Sequence, residues 1–369
     1  MYITTLRINN FRNIPTAELS LSEGFNIFVG ENAQGKTNTA EAIELVLTGR
    51  SHRESLNENF IKDGQPRAAL SAEAVLENGA GYLAECTVDS IRGKAHRING
   101  ELIRSRSRLN GYFAAVFFSP EDLRIVSDSP QIRRSFLNDA ISQLYPRYSD
   151  MLSDYGRVVK QRNLLLKDWT PSCLPMLEVY DEQLADLGSD IMRRRIAFLK
   201  ECQGVASDLY RFISGEREDI SLNYISNVIT RGGVRDIRSE YMDALSASRE
   251  DDIYSRTTTV GVHHDDIAIF ISGKPARKFA SRGQLRSIAI CMKFSLIRML
   301  LARREEKAVV ILDDIMSELD ENRRAKVVEM LSGYQVFITC VSQDFDTKDN
   351  ETKVFTVSSG VITEKEKGE

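Results

Sequence analysis

The segment Gly30-Glu31-Asn32-Ala33-Gln34-Gly35-Lys36-Thr37 constrains the fold more than any other in this chain. It follows the short apolar run Phe25 to Val29. It leads into Ala40, Ile43, Glu44 and Leu47, which share one side of a helix up to a stop at Gly49. A G-x-x-x-x-G-K-[ST] segment between a strand and a helix is a phosphate loop. Gly30 and Gly35 permit backbone angles that turn successive N–H groups inward, and these groups together with the helix N-terminus hold phosphate oxygens. Lys36 would bring positive charge to the β- and γ-phosphates, and Thr37 a hydroxyl to Mg²⁺. The competing reading is a chance match, and the strand–loop–helix context weighs against it.

Two further segments fit the same chemistry. Val309-Val310-Ile311-Leu312-Asp313-Asp314 is an apolar strand ending in acid, the Walker-B arrangement. Asp313 would hold Mg²⁺, mostly through water, and Asp314 would polarise the attacking water. The alternative is a buried strand closed by two turn-forming aspartates. Ser281-Arg282-Gly283-Gln284-Leu285-Arg286 heads a helix, with Ser281 as a candidate N-cap and Gly283 allowing close approach to the backbone. It lies long after the phosphate loop and shortly before the acidic strand. That order is the one found in ATP-binding-cassette ATPases, where the signature segment of one subunit closes over the γ-phosphate held by the other.

The spacing of apolar residues divides the chain. Leu6 and Ile8 alternate with polar neighbours, and residues 68–118 read as short strands broken at Asn78-Gly79, Arg92-Gly93 and Asn99-Gly100. From Ile132 to Phe212 the pattern is helical. One stripe runs from Tyr148 through Tyr155 and Arg162 to Leu166. A second runs from Leu184 through Ile191 and Phe198 to Phe212, and the two are expected to pack antiparallel as a short arm. Strand-like runs return at Ile267–Ile271, Ala308–Leu312 and Val336–Val341. The expected fold is α/β: a P-loop NTPase of ATP-binding-cassette head type, with mixed sheets and an inserted helical arm. Its expected boundaries are 1–122 for the N-terminal part of the ATPase domain, 123–257 for the arm, and 258–369 for the C-terminal part.

The formal net charge is −4, so any nucleic-acid contact must come from a local patch. Arg92, Lys94, Arg97, Arg104, Arg106 and Arg108 stand together against the single acid Glu101. A hairpin carrying them could lie along a duplex backbone, and the competing reading is a solvated basic face. No aromatic residues interleave the patch, which favours duplex shape over base stacking. Arg50 with Arg53, and the run Arg193-Arg194-Arg195, are lower-ranked candidates. The four adjacent residues His263-His264-Asp265-Asp266 alternate faces on a strand and are not expected to converge on one ion. The five cysteines are scattered, which fits reduced thiols, and no basic start leads an apolar block. The expectation is a soluble cytoplasmic protein with no membrane span.

Longer stretches carry a resemblance. Ile8-Asn9-Asn10-Phe11-Arg12-Asn13, the loop through Asn38, Glu41-Ala42-Ile43, Phe118-Ser119-Pro120-Glu121-Asp122-Leu123, Ser129-Pro130 with Arg133-Arg134-Ser135-Phe136-Leu137, and Asp313-Asp314-Ile315-Met316-Ser317-Glu318-Leu319-Asp320 together resemble the RecF family of bacterial recombination mediators. These proteins are similar to the ATPase heads of chromosome-condensation proteins. The resemblance implies an ATP- and Mg²⁺-dependent homodimer that hydrolyses ATP slowly and binds double-stranded DNA at gaps or junctions. With RecO and RecR it would load RecA.

By position, the resemblance implies that Arg12 reaches the nucleotide phosphates. Gly30, Asn32, Gly35, Lys36, Thr37 and Asn38 would line the nucleotide. Thr37 and Asp313 would serve the metal, with Lys36, Asp313 and Asp314 catalytic. Ser281, Gly283 and Gln284 would complete the partner's site, and Asp320 would cap the following helix at the dimer seam. Departures from the family pattern fall at Asn138, Val262, His264, Arg282 and Leu285. Three other readings stay open at this point: a DNA-binding scaffold in which ATP is structural, a transporter ATPase subunit, and a nucleotide kinase. The length of the helical insertion and the lack of a histidine after Val336–Val341 weigh against a transporter. The signature segment weighs against a kinase.

Overall fold

The computed structural model describes residues 1–53, 56–215, 218–228, 237–347 and 351–365. Of the charged tail after Thr363, residues 366–369 lie outside the described residues. The chain divides into two compact units. The first comprises Met1–Leu123, Leu209–Glu216 and Ala289–Glu369, and the second Arg124–Asp208 and Arg217–Ile288.

The first unit holds two six-stranded sheets. One runs in the order β2-β1-β4-β5-β6-β7, from β1 (Tyr2–Phe11), β2 (Ile14–Ser20), β4 (Arg67–Val75), β5 (Gly81–Asp89), β6 (Gly93–Ile98) and β7 (Glu101–Ile103), all antiparallel. Its strands alternate buried and open residues, as in β4, because one face meets the core and the other meets solvent. The expected turns are present, with Gly79, Gly93 and Gly100 at φ 82, 78 and 80°.

The other sheet runs β15-β14-β3-β13-β12-β8, from β3 (Phe25–Val29), β8 (Ala115–Phe118), β12 (Val309–Asp313), β13 (Val336–Cys340), β14 (Thr352–Ser358) and β15 (Val361–Glu364). All its pairs are parallel except β14–β15. Every residue of β8, β12 and β13 is buried, the continuous pattern of a parallel sheet covered on both faces. Helix α1 (Lys36–Thr48) is buried on nearly all sides, and its Ala40, Ile43 and Val46 join one apolar core with residues of both sheets. Helices α2 (Arg106–Tyr112) and α11 (Glu321–Met330) also lie wholly within this unit.

The second unit is helical, with a small sheet. It contains α3 (Arg124–Ser127), α4 (Pro130–Leu144), α5 (Tyr148–Lys167), most of α6 (Leu174–Ser214), α7 (Ile237–Ala247), α8 (Arg249–Ser255) and α9 (Ala276–Phe279). Helix α10 (Arg282–Arg304) begins in it. At one end of α5, Arg195 of α6 donates to Tyr148; at the other, Arg162 donates to Asp181 near the start of α6. The two helices therefore run antiparallel. Arg162 lies in the apolar stripe yet is fully buried, and its charge is met by Asp181 and Asp252.

The second unit does not end at residue 257. Strand β10 (Asp266–Ile271) pairs antiparallel with β9 (Ile220–Ile225), and β11 (Lys274–Pro275) pairs with β10. Arg133 holds Asp266, and Arg195 holds Asp265. These bonds tie 258–288 to the helices, so the α/β unit resumes at Ala289 rather than at 258. Leu285 is buried, which gives that departure from the family pattern a packing role.

Candidate functional site

Phosphate-binding crevices form outside the carboxyl ends of parallel strands, and in the first unit three such ends lie side by side. Strand β13 sits between β3 and β12, with Cys340 opposite Val29 and Thr339 opposite Asp313. The loop leaving β3, the acid that follows β12 and the threonine of β13 therefore surround a cavity of about 370 Å³, lined by Lys36, Thr37, Asn38, Arg53, Asp314 and Thr339 among others.

The two loop glycines are required for different reasons. Gly35 precedes α1 at φ 118°, where a side chain would be strained. Gly30 is not in that region; a Cβ there would run into the Val357 carbonyl of the neighbouring strand β14. The loop is fastened from several sides. Asn13 Nδ2 donates to the Gln34 carbonyl at 3.0 Å and Asn38 Nδ2 donates to Asn13 Oδ1 at 2.8 Å. The backbone N–H groups of Ser359 and Gly360 donate to the Gln34 side-chain oxygen and carbonyl at 2.6 and 2.8 Å.

The ammonium of Lys36 donates to the carbonyls of Gly30 and Glu31, both at 2.7 Å. The Thr37 hydroxyl donates to Asp313 Oδ1 at 2.9 Å, and the Thr339 hydroxyl donates to the same oxygen at 2.6 Å. Burial raises the Asp313 carboxyl above its ordinary range, while the two hydroxyls and the nearby His52 and Arg53 oppose that shift. Asp314 adopts φ 54°; its N–H donates to Thr339 Oγ1 at 3.0 Å and its Oδ1 accepts from Ser317 Oγ at 2.9 Å. A hydroxyl and a carboxylate converging beside a phosphate loop make an all-oxygen donor set of the kind Mg²⁺ takes, so the residues present fit that ion.

Arg12, which the resemblance assigns to the nucleotide phosphates, is engaged by Glu41 and Phe60. Its guanidinium donates twice to Glu41 at 2.9 Å and lies over the Phe60 ring, 5.3 Å from the centroid. Glu41 is fully buried and also accepts from Ser51 Oγ.

The signature residues Ser281, Gly283 and Gln284 belong to the second unit. Ser281 is an N-cap in a reciprocal capping box: its Oγ accepts from the Gln284 N–H at 3.2 Å, and its own N–H donates to Gln284 Oε1 at 2.7 Å. Gln284 also donates to Glu218. Asp320 caps α11 by accepting from the Arg323 N–H at 2.9 Å. Asn138 accepts from Arg195 at 3.0 Å, and His263 and His264 both donate to the Thr258 carbonyl at 3.1 Å.

The basic segment does not form one hairpin face. Lys94 pairs with buried Val88 and donates to the Gly49 carbonyl at the end of α1, whereas Arg97 pairs with Glu85 on the opposite face of the strand. Arg106 and Arg108 lie on α2 instead of the hairpin. Burial and the neighbouring Arg50 push the Arg106 guanidinium down to about 10, and Arg108 pairs with Glu101. Arg92, Lys94, Arg97, Arg104 and Arg108 are all exposed, but Lys94 and Arg108 are bonded to Gly49 and Glu101. The six were grouped by proximity in sequence, whereas strand alternation and the turn into α2 separate them.

The expected site residues do not include Thr339, Asn13 or the Ser359–Gly360 turn, and Arg53 is ranked only as a DNA contact. Asn13 stands beside Arg12 in a quoted motif, the one local signal available. No helix among the described residues is long and apolar enough to cross a membrane.

Comparison with known proteins agrees with this geometry. The family described as RecF/RecN/SMC N terminal domain matches residues 2–363. The DNA replication and repair protein RecF of Streptococcus suis (strain 05ZYH33) is 34% identical over 368 residues, covering 99% of this chain and 100% of that protein. RecF of Clostridium perfringens (strain SM101 / Type A) is 34% identical, with 98% and 99% covered. A solved structure of the recombination mediator protein RecF with ATP in the RecFOR pathway superposes with a TM-score of 0.91 at 31% identity, covering 99% of this chain and 98% of that one. An Smc head bound to the C-winged helix domain of ScpA shares the fold, with a TM-score of 0.57 at 17% identity, covering 100% of this chain and 98% of that chain.

Proposed function

The chain belongs to the RecF family, and on that premise we propose that it is an ATP-switched recombination mediator that dimerises on duplex DNA. The observation that carries this reading is the convergence of Lys36, Thr37 and Asp314 on one cavity at the strand ends, with Asp313 bonded to Thr37 behind it. A bound triphosphate replaces the Gly30 and Glu31 carbonyls as the partner of the Lys36 ammonium. Backbone N–H groups of the loop and of the first turn of α1 take up phosphate oxygens. Thr37 and Asp313 would hold Mg²⁺, which when bound offsets charge on the β- and γ-phosphates. The Asp314 carboxylate orients a water in line with the γ-phosphorus and accepts its proton. The new O–P bond forms as the bond to the bridging oxygen breaks, leaving ADP and inorganic phosphate.

Ser281 and Gly283 of a second copy complete each site, so two triphosphates are sandwiched between two chains. The γ-phosphate favours the closed dimer and slow hydrolysis releases it. The closed dimer binds double-stranded DNA at gaps or junctions through its exposed arginines, and with RecO and RecR it directs RecA onto the adjoining single strand. Sedimentation at micromolar protein tests the reading. A dimer with ATP, a monomer with ADP and a more persistent dimer with ATP plus duplex DNA are expected. A monomer under all three conditions would overturn it.

A further inference from the structure

One hydroxyl bonds to both acids at the end of β12. Thr339 Oγ1 donates to Asp313 Oδ1 at 2.6 Å and accepts from the Asp314 N–H at 3.0 Å. Its proton is committed to the first acid and a lone pair to the second. The Asp314 N–H also reaches the Thr339 carbonyl at 3.2 Å, and Asp314 adopts a left-handed φ of 54°.

Packing does not ask for this hydroxyl. Val336, Phe337, Ile338 and Cys340 make the rest of β13 apolar, and every residue of the strand is buried. Valine has the same branched shape, suits a strand as well and adds no polar atom. A buried hydroxyl costs free energy unless it is bonded, and here both bonds go to the acids. Adjacent residues of a strand point to opposite faces, so two neighbouring acids serve one site only if the chain turns between them. Asp313 faces the Thr37 hydroxyl, and Asp314, past the turn, lines the cavity. Thr339 stands opposite Asp313 in the sheet and holds both sides of that turn.

We infer that Thr339 is a positioning residue for hydrolysis: its hydroxyl keeps Asp313 toward Thr37 and fixes the turn that aims the Asp314 carboxylate at the attacking water. This deepens the ATP-switch reading and rests on it. Thr339 acts through the two acids rather than on the nucleotide. Its loss therefore slows hydrolysis while leaving ATP binding and the closed dimer in place.

The test compares Thr339→Val with Thr339→Ser in the full chain. It reads kcat, ATP affinity by calorimetry and ATP-driven dimers by sedimentation. Thr339→Val should lower kcat about 10- to 100-fold, with ATP affinity held within about two-fold and dimers that persist longer. Thr339→Ser, which keeps the hydroxyl, should recover most of the rate. An unchanged kcat in Thr339→Val, equal losses of kcat and ATP affinity, or no recovery with serine would each overturn the proposal. Should Thr339→Val fail to fold, Thr339→Ala against Thr339→Ser carries the same comparison. Adding Thr339→Val to Asp314→Asn should slow hydrolysis no further, because the two residues act as one unit. A further ten-fold or so loss in that double variant would overturn the route through Asp314. If Asp314→Asn alone turns over at the parent rate, the underlying assignment of the base fails instead.

Discussion

Thr37 and Asp313, 276 positions apart in the chain, share a hydrogen bond of 2.9 Å between hydroxyl and carboxylate. That contact brings the first turn of α1 to the end of β12, and Asp314 next to it lines the cavity. Lys36→Ala removes the ammonium that the triphosphate needs, and ATP-driven dimers should disappear in sedimentation. Asp314→Asn keeps the backbone bond to Thr339 but cannot accept a proton. Hydrolysis should fall about 10²-fold or more while ATP-bound dimers persist longer. Rapid turnover by Asp314→Asn would show that the base lies elsewhere.

Arg12 and Glu41 form a largely buried, doubly bonded pair. Glu41→Ala strands the arginine charge and should destabilise the first unit by about 3 kcal/mol in urea unfolding. Arg12→Ala, which strands the acid instead, should cost a similar amount. The double variant should lose less than the sum of the two, since each single change already removes the shared bond. Additive losses would mean that the pair contributes nothing as a pair.

Acid should destabilise both units through half-buried histidines. Burial lowers His96 in the first unit and His263 in the second from 6.5 to about 4. His263 Nδ1 faces the Tyr155 hydroxyl at 2.9 Å and its Nε2 the Thr258 carbonyl, so the neutral ring is already satisfied. Each unfolded chain takes up protons near 6.5 that the folded form refuses until about 4. This stabilisation is complete above 6.5 and is lost as the pH falls toward 4. Between pH 7 and pH 5 each histidine should cost about 2 kcal/mol. Urea midpoints at the two pH values measure this, and His96→Gln should flatten the share belonging to the first unit.

DNA binding should be less salt-dependent than the count of basic residues suggests. Lys94 is held at the end of α1, Arg106 is partly buried beside Arg50, and Arg108 pairs with Glu101. If Arg92, Arg97 and Arg104 make about three phosphate contacts, the log–log slope should be about −3. Replacing all three with alanine should bring it close to zero. An unchanged slope would place the DNA elsewhere on the chain.

Much of this arrangement could be read from sequence because it is written locally. The phosphate loop, the strand ending at Asp313, the Ser281 cap, the Asp320 cap and the glycine turns each occupy a few adjacent residues. What could not be read depends on pairings between distant segments. Thr339 enters the site only because β13 lies between β3 and β12. Gly30 is needed for its packing against Val357 rather than for its own dihedral angles. Arg12 looked open because its partner Glu41 sits on another element, and helical spacing alone assigned Glu41 no charge partner. The basic patch looked coherent because alternation along β6 and the turn into α2 are invisible to a tally of charges. The placement of 258–288 was missed because Asp265 and Asp266 are claimed by arginines far upstream.

The grip of Ser359 and Gly360 on Gln34 joins positions 325 and 326 residues apart. A ribosome making this chain therefore releases the phosphate loop 325 residues before its clasp. Until that hairpin emerges, the nascent polypeptide has the nucleotide motif without its finished receptacle. Competence to switch thus waits on that hairpin rather than arising with the loop itself.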